Sequence, residues 1–216
     1  NIMKRDNNEG SLRLLENLDI DPYILCLWEA DGYLRTSSIG LTSIYPKLIQ
    51  RFRDFLLIYF PIQRLHLRVY LPRSIQTFNQ TLLTSNVRIC SIHKAKHPAY
   101  HIYVNCRPFV RAFLFCVKQR KLSSKEIPSY FAGRFDGDGS IAKDVQKDCR
   151  IVYTTHNEAL LDQTLIHQWN SAIQTSIYYY KSARTHVLYV RKSSVKQFID
   201  AIRQYSSKLT HELIAP

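Results

Sequence analysis

Two short segments of the chain end in the same pattern, which is an acidic residue, a small residue, aspartate and glycine. They read ILCLWEADG at 24–32 and FAGRFDGDG at 131–139. Each joins an apolar helical run to a glycine, which can adopt the left-handed conformation that stops a helix. Each therefore offers one carboxylate at a helix end, Asp31 and Asp138 respectively. One such ending alone is typical of a helix stop with a solvated aspartate, but two copies favour a shared site.

Small residues recur at a helical spacing within both segments. Gly133 and Gly137 are four residues apart, and so are Cys26 and Ala30. Residues at this spacing share one face of a helix, and small side chains on that face let two helices approach closely. If the two helices pack through these faces, their terminal aspartates come together at one end of the pair.

Two apposed carboxylates need a cation between them. At a separation of about 4 Å and an effective dielectric constant near 20, their repulsion is about 4 kcal/mol. Asp31 and Asp138, together with the backbone carbonyls of Ala30 and Gly137, offer the hard oxygen ligands that suit Mg²⁺. Metal ions about 4 Å apart can stabilise both the attacking and the leaving oxygen in phosphodiester hydrolysis. The sequence thus predicts a Mg²⁺ site for cutting phosphodiesters, and no organic cofactor.

The elements that follow the two motifs match each other in order. Each motif leads to polar, strand-like residues and then to an amphipathic helix, predicted at Tyr45–Tyr59 and at Glu158–Ile173. A strand and a helix complete each copy, so the architecture is a duplicated helix, two strands, helix, two strands and helix. The predicted limits are 19–119 for the first half with an insertion at about 72–98, 120–128 for a polar linker, and 129–216 for the second half.

One strand of the first half alternates strictly between polar and apolar residues. In RLHLRVYL at 64–71, one face can pack while the other presents Arg, His and Tyr side chains. Such side chains offer donors and flat surfaces for phosphates and base edges. Outward sheet faces are often polar without any partner, but the second half carries a similar set. The predicted DNA contacts are Arg35, Arg64, His66, Arg68, Tyr70, Lys143, Tyr178, Tyr180, Lys181, Arg184 and His186.

The composition favours a polyanionic partner. Thirty Lys and Arg against 17 Asp and Glu in 216 residues give a net charge of +13 and a pI near 9.6. This balance is typical of proteins that bind nucleic acid, with an anionic membrane surface as the second choice. No uninterrupted apolar run of about 18 residues occurs, so we expect no membrane-spanning helix and no membrane partner.

The cysteines and the N-terminus bear on location. Five cysteines without a C-x-x-C pair are typical of reduced core thiols, and the charged first residues lack the apolar region of a secretory signal. We therefore expect an intracellular protein, in a mitochondrion or chloroplast or in a bacterial or archaeal cytoplasm.

A weak zinc pattern also occurs, although His97 and His101 flank a proline and a strand rather than lying on a helix. Its members are Cys90, His93, His97, His101 and Cys106.

These motifs resemble the LAGLIDADG homing endonucleases in their double-motif, single-chain form. The second motif matches strongly, and the first departs from the family pattern at Leu25 and Cys26, where small residues are usual. The resemblance implies an α+β fold with a duplicated αββαββα order. It also implies two antiparallel sheets that form a DNA-binding saddle, and two motif helices packed at a pseudo-twofold interface.

The resemblance also implies roles for individual residues. A lysine from each half would stand beside the scissile phosphates, and Lys121 and Lys208 are the aligned positions. Glu29 and Asp136 are expected to serve the structure of the motif rather than catalysis. Asp31 and Asp138 would then be the catalytic carboxylates.

The sequence therefore predicts a monomeric, Mg²⁺-dependent endonuclease that cleaves a long, asymmetric double-stranded DNA site. The resemblance implies short 3′ overhangs and an intron-encoded origin. One alternative is a binder of the same fold that does not cleave, either an RNA maturase or a transcription regulator. Another is a basic RNA-binding α+β protein whose motif matches arise by chance.

Overall fold

The computed structural model describes residues 18–75, 82, 84, 86–93, 95–141 and 148–209. No helix in these ranges is both long and apolar enough to cross a bilayer. The elements run in the order α1 (Pro22–Asp31), β1 (Gly32–Arg35), β2 (Ser38–Ser43), α2 (Pro46–Tyr59), a 3₁₀ turn (Ile62–Arg64), β3 (Leu65–Pro72), β4 (Asn86–Ile92), β5 (Ala99–Asn105), α3 (Arg107–Gln119), α4 (Ile127–Asp138), β6 (Gly139–Ile141), β7 (Cys149–Tyr153), α5 (His156–Trp169), β8 (Thr175–Tyr180), β9 (Thr185–Val190) and α6 (Lys192–Arg203).

The chain divides into two compact units. Among the described residues, the first unit holds 18–21 and those of Gly32–Lys121, and the second holds Pro22–Asp31 and those of 122–209. The first motif helix, α1, is thus grouped with the second motif helix, α4. The units therefore do not simply follow chain order, and the limits of the two halves stay a prediction.

The first unit is a five-stranded sheet covered on one face by α2 and α3. The strand order is β1-β2-β5-β3-β4, and the alternation predicted for 64–71 places Leu65, Leu67 and Val69 in the core. Helix α2 begins with a proline, whose missing N–H costs nothing in a first helical turn. Aromatic rings join the two helices, since Phe55 lies 6.0 Å from Phe113 between ring centroids.

The inserted segment contributes a strand that runs parallel to its neighbour. Strand β4 pairs with β3 in the register His66 with Asn86 and Pro72 with Ile92. A parallel pair needs a crossover of about a dozen residues or more, which the long connection after Pro72 supplies. The first sheet is therefore mixed rather than wholly antiparallel. Much of the insertion between Pro72 and Asn86 lies outside the described residues.

The second unit is a four-stranded antiparallel sheet with helices on one face. Its strand order is β6-β7-β9-β8, and α5 and α6 pack on its buried face. Helix α5 starts two residues before the predicted position because Thr155 and Glu158 form a reciprocal capping box. It ends at Trp169, four residues before the predicted Ile173, because Asn170 adopts an extended conformation.

The second copy has the order αββαββα, and the first copy has the same order with the inserted strand β4 added. The predicted α+β fold is confirmed. The helix of the second motif starts at Ile127, inside the segment predicted as a linker. Pro128 lies in its first turn, where proline is compatible with a helix.

Candidate active site and nucleic-acid interface

The two motif helices, α1 and α4, pack closely through small residues. A Cβ atom on Gly133 would overlap the backbone of Tyr23, and one on Gly137 would overlap Ala30. Close-packed interiors do not absorb such overlaps without backbone movement. The predicted packing of the motif helices is thus confirmed, and two glycines of α4 are required for it.

Asp31 and Asp138 lie at the same end of this helix pair. The Cβ position of Gly137 is 3.9 Å from the carboxyl carbon of Asp31, and Asp138 is the next residue along α4. Burial, and then the negative charge of Asp31, raise the pKa of Asp138 to about 6. Burial also raises the pKa of Asp31. The two carboxylates are therefore close enough to repel each other.

The residues at this helix end fit a divalent cation. Both carboxylates are only partly buried, so oxygen ligands are available without dismantling the core. A cation between them would relieve the repulsion that raises the pKa of Asp138. The carbonyls of Ala30 and Gly137 belong to the same helix ends, and carboxylate and carbonyl oxygens together suit Mg²⁺, Mn²⁺ or Ca²⁺. That these two carbonyls are ligands stays a prediction.

One of the two predicted lysines stands beside the carboxylates. The Nζ of Lys208 donates to the carbonyl of Gly137 at 3.3 Å, and its positive charge offsets part of the rise that burial causes in the pKa values of Asp31 and Asp138. Lys121 is exposed, two residues after α3 ends, and belongs to the first unit. Its predicted role stays a prediction.

A buried arginine that we did not predict supports the second motif helix. Arg134 is 5% exposed, and its Nε lies 3.3 Å from Asp162 on α5. Its guanidinium also lies 4.8 Å from the ring centre of Tyr153 and within 3.9 Å of Glu29 on α1. The signal in the sequence was an arginine inside an otherwise apolar motif helix. Glu29 also accepts from Tyr130 at 3.1 Å, so it contacts two side chains of the second motif helix, and its structural role stays a prediction.

The polar face of the first sheet carries a ladder of rings and guanidinium groups across its strands. Arg68 lies over the ring of Tyr103 at 5.1 Å, and His66 stacks on the same ring at 4.9 Å. Further along, Arg35 lies over Tyr33 at 5.6 Å. Four of the predicted DNA contacts lie on this face: His66, Arg68 and Tyr70 on β3, and Arg35 on β1. Arg64 is exposed just before β3.

The rings on β1 and β5 were not predicted. Tyr33, His101 and Tyr103 enter the face only through strand pairing, since β3 and β5 pair Arg68 with His101. His101 is 4% exposed, and its Nε2 has no hydrogen-bond partner within the described chain. Burial, and then the charges of Arg68 and Arg35, lower the pKa of His101 to about 4. The imidazole is therefore neutral at physiological pH.

The second sheet presents tyrosines on its open face. Tyr178 and Tyr180 are exposed, and the hydroxyls of Tyr180 and Tyr189 share a hydrogen bond. Arg150 lies 5.3 Å from the ring centre of Tyr189. This face therefore combines apolar rings, hydroxyls and positive charge, as the first sheet does.

The remaining residues predicted for the second half do not all share that face. His186 pairs with Tyr179, so strand alternation places both on the opposite face from Tyr178 and Tyr180. Placing His186 on the same face as Tyr178 and Tyr180 was wrong because the sequence did not reveal the register of β8 against β9, and its predicted DNA contact stays a prediction. Lys181 and Arg184 lie in the turn between β8 and β9, and Lys143 lies outside the described residues.

The weak zinc pattern does not converge on a site in the described chain. Among the residues that the structure describes, no three His, Cys, Asp or Glu side chains cluster in a way that could hold a metal ion. Of its members, His101 belongs to the ring ladder of the first sheet.

A family profile matches the second half of the chain. Residues 126–203 match a family described as a LAGLIDADG-like domain. No curated protein sequence matches the chain significantly. The matched range begins one residue before α4 and ends with α6, so it spans one complete αββαββα copy.

Solved structures share the fold at low sequence identity. The homing endonuclease I-DmoI in complex with DNA and Mn has a TM-score of 0.52 and 15% identity, over 88% of this chain and 97% of that one. The N-terminal LAGLIDADG domain of WhiA gives 0.53 and 13%, over 94% and 95%. The homing endonuclease I-WcaI bound to its DNA recognition sequence gives 0.54 and 10%, over 93% and 86%. The resemblance to the LAGLIDADG family is thereby confirmed.

Proposed function

We propose that this LAGLIDADG protein is a metal-dependent endonuclease that cuts both strands of a specific double-stranded DNA site. The observation that carries the proposal is the position of Asp31 and Asp138 at one end of the α1/α4 pair, where their repulsion helps to raise the pKa of Asp138 to about 6. A protein that only binds DNA gains nothing from holding two partly buried carboxylates together, since their repulsion costs folding free energy. A nuclease uses them to bind a metal ion.

Each residue of the site has a distinct task in the proposed reaction. Asp31 and Asp138, with the carbonyls of Ala30 and Gly137, would hold the divalent cation, which would supply an activated water and charge stabilisation. Lys208 places its ammonium where it can stabilise the extra negative charge on the attacked phosphate. Lys121 is proposed as its counterpart for the other strand.

Similar proteins support a divalent metal and a DNA partner. I-DmoI is solved in complex with DNA and Mn, and I-WcaI is bound to its DNA recognition sequence. The net charge of +13 suits a polyanion. We propose Mg²⁺ as the working metal because hard carboxylate and carbonyl oxygens suit it and because it keeps waters that can act as nucleophile.

We further propose that one chain acts alone on an asymmetric site. Each chain carries both motif aspartates, so a second copy is not needed to complete the site. The polar faces of the two sheets differ in their outward residues and would therefore read different DNA sequences. The resemblance implies that cleavage leaves short 3′ overhangs. An intron-encoded origin, in an organelle or a prokaryotic cytoplasm, belongs to the same proposal. Sedimentation of the DNA complex tests the stoichiometry, and a mass of two chains per duplex would contradict it.

WhiA provides the competing candidate. Its N-terminal domain has the LAGLIDADG fold, and a protein of this fold that binds without cutting is the alternative to a nuclease. The two functions differ in their need for metal. A regulator should bind its target equally well with or without a divalent cation and leave the DNA intact.

Selection of cleaved sites from a randomised duplex library in Mg²⁺ tests the proposal. We expect recovery of one long, non-palindromic sequence with short 3′ overhangs. Recovery of intact DNA only, after incubation in Mg²⁺ or Mn²⁺, would contradict the proposed activity. The selected duplex also provides the substrate for the experiments below.

A further inference from the structure

Asp136, two residues before Asp138 in the second motif, accepts hydrogen bonds from an unusual number of donors. Asp136 is fully buried. The Tyr23 hydroxyl donates to it at 2.6 Å, as does the amide of Ser207, while the Lys208 amide donates at 3.3 Å. The Ser206 hydroxyl donates as well. A buried carboxylate with this many donors forms strong, charge-assisted hydrogen bonds.

Three of these donors belong to the turn that carries Lys208. This turn follows α6 and is short, since Leu209 closes it by donating its amide to the Ser206 hydroxyl at 3.0 Å and by burying its side chain. Asp136 thus fixes the main chain of Lys208 to α4. The side chain is fixed at the next residue of the same helix, because Nζ donates to the carbonyl of Gly137.

We infer that Asp136 is a positioning residue, which places the Lys208 ammonium beside Asp31 and Asp138. A lysine side chain is long and flexible, and holding it ready costs conformational entropy that a fixed main chain reduces. Asp136 acts through Lys208, without touching the reacting phosphate. The inference rests on the proposed function, because it assumes that Lys208 assists cleavage.

The corresponding acidic residue of the first motif makes different contacts. Glu29 accepts from Tyr130 and lies near Arg134. Asp136, in contrast, accepts from the turn that carries Lys208. We call the hydrogen bonds between Asp136 and the Lys208 turn the anchor. The anchor depends on the surroundings of the second motif and is not shared by Glu29 at the equivalent position.

Single-turnover cleavage of the selected duplex by Ser206→Ala tests the inference, with Ser194→Ala as the matched control. Both serines are nearly fully buried and hydrogen-bonded, so both variants lose a buried hydrogen bond. We expect Ser206→Ala and Asp136→Asn to slow cleavage at least tenfold at saturating DNA and metal. DNA affinity in Ca²⁺ should not change, and Ser194→Ala should cleave at the wild-type rate.

A double-mutant cycle separates positioning from general damage to the fold. If Asp136 acts through Lys208, adding Ser206→Ala to Lys208→Met should slow cleavage no further than Lys208→Met alone. An equal slowing in both backgrounds, or equal rates for Ser206→Ala and Ser194→Ala, would overturn the inference.

Amide hydrogen exchange gives a readout that does not depend on cleavage. The amides of Ser207 and Lys208 should lose protection in Asp136→Asn and keep it in Ser194→Ala. Retained protection in Asp136→Asn would overturn the anchor even if the protein cleaves DNA. Lost protection in Asp136→Asn, together with a wild type that cleaves no DNA, would instead support the anchor and reject the proposed function.

Discussion

Tyr23 on α1 donates a hydrogen bond of 2.6 Å to Asp136 on α4. When the two motifs are aligned, Tyr23 corresponds to Tyr130 and Glu29 corresponds to Asp136. Tyr130 donates to Glu29 at 3.1 Å. Each motif helix therefore receives a tyrosine hydroxyl from the other. Because a hydrogen bond to a charged group contributes about 1.5–3 kcal/mol, this reciprocal pair helps to fix the register in which Asp31 and Asp138 end together.

Gly133→Ala should destabilise the protein by at least about 2 kcal/mol, since its Cβ would overlap the backbone of Tyr23 rather than a movable side chain. Equilibrium unfolding in urea measures the effect. Gly32→Ala is the control, because Gly32 is exposed and has no left-handed backbone angle. Equal stabilities of the two variants would contradict the close packing of α1 and α4.

Asp138→Asn should stabilise the protein in EDTA at pH 8 by about 1 kcal/mol, after allowance for solvent screening. The pKa of Asp138 is raised to about 6, so folding favours its protonated form, and the charged form costs stability once the pH exceeds that value. The gain should grow between about pH 4 and pH 6 and then level off. Thermal unfolding at several pH values measures it.

The exposed Asp19 supplies the control for that series, since Asp19→Asn should give no comparable gain. Excess Mg²⁺ or Mn²⁺ should stabilise the wild type, because a ligand that binds only the folded state raises its stability, and should leave Asp138→Asn unchanged. A gain at pH 8 that persists in full at pH 4 would show that charge is not its cause.

His101→Gln should reduce the loss of stability that accompanies acidification. The pKa of His101 is lowered to about 4, so the unfolded chain takes up a proton below about pH 6.5 while the folded protein does not. Stability from this group is complete above that pH and is lost as the pH falls toward 4. Urea unfolding at pH 7 and pH 5 measures the difference, with the exposed His97→Gln as control. Identical pH profiles for the three proteins would contradict a buried, neutral His101.

Affinity for the selected duplex should fall steeply with salt. If the positive sheet faces contact about ten phosphates, the slope of log affinity against log salt concentration should be about −9. Arg68→Ala and Arg35→Ala should each reduce its magnitude by about one if these guanidinium groups meet phosphates. Fluorescence titration at several salt concentrations measures the slope, and a value near zero would exclude the DNA partner.

The sequence carried more information about the motif helices than about the sheets. Small residues at a spacing of four, with aspartate and glycine at the helix end, predict how α1 and α4 pack, because helical neighbours are set by local spacing. The face of each sheet depends on register, which is a nonlocal property. For this reason the tyrosines and histidine at 33, 101 and 103 were missed, and His186 was placed on the wrong face.

The buried supports of the site were also beyond the sequence. Arg134 appears in a motif as a charged residue with no visible partner, and its partner Asp162 lies on α5. The donors of Asp136 come from α1 and from the turn after α6, which are distant in the chain. Such partners become visible only when tertiary structure brings the elements together.

The central claim is that Asp31 and Asp138 together hold the divalent metal on which cleavage of both DNA strands depends. Its most direct test is the cleavage of the selected duplex by Asp31→Asn and by Asp138→Asn in Mg²⁺, with binding measured in Ca²⁺. The account predicts that each substitution alone abolishes double-strand cleavage while DNA binding survives. Double-strand cleavage at the wild-type rate by either variant would contradict it.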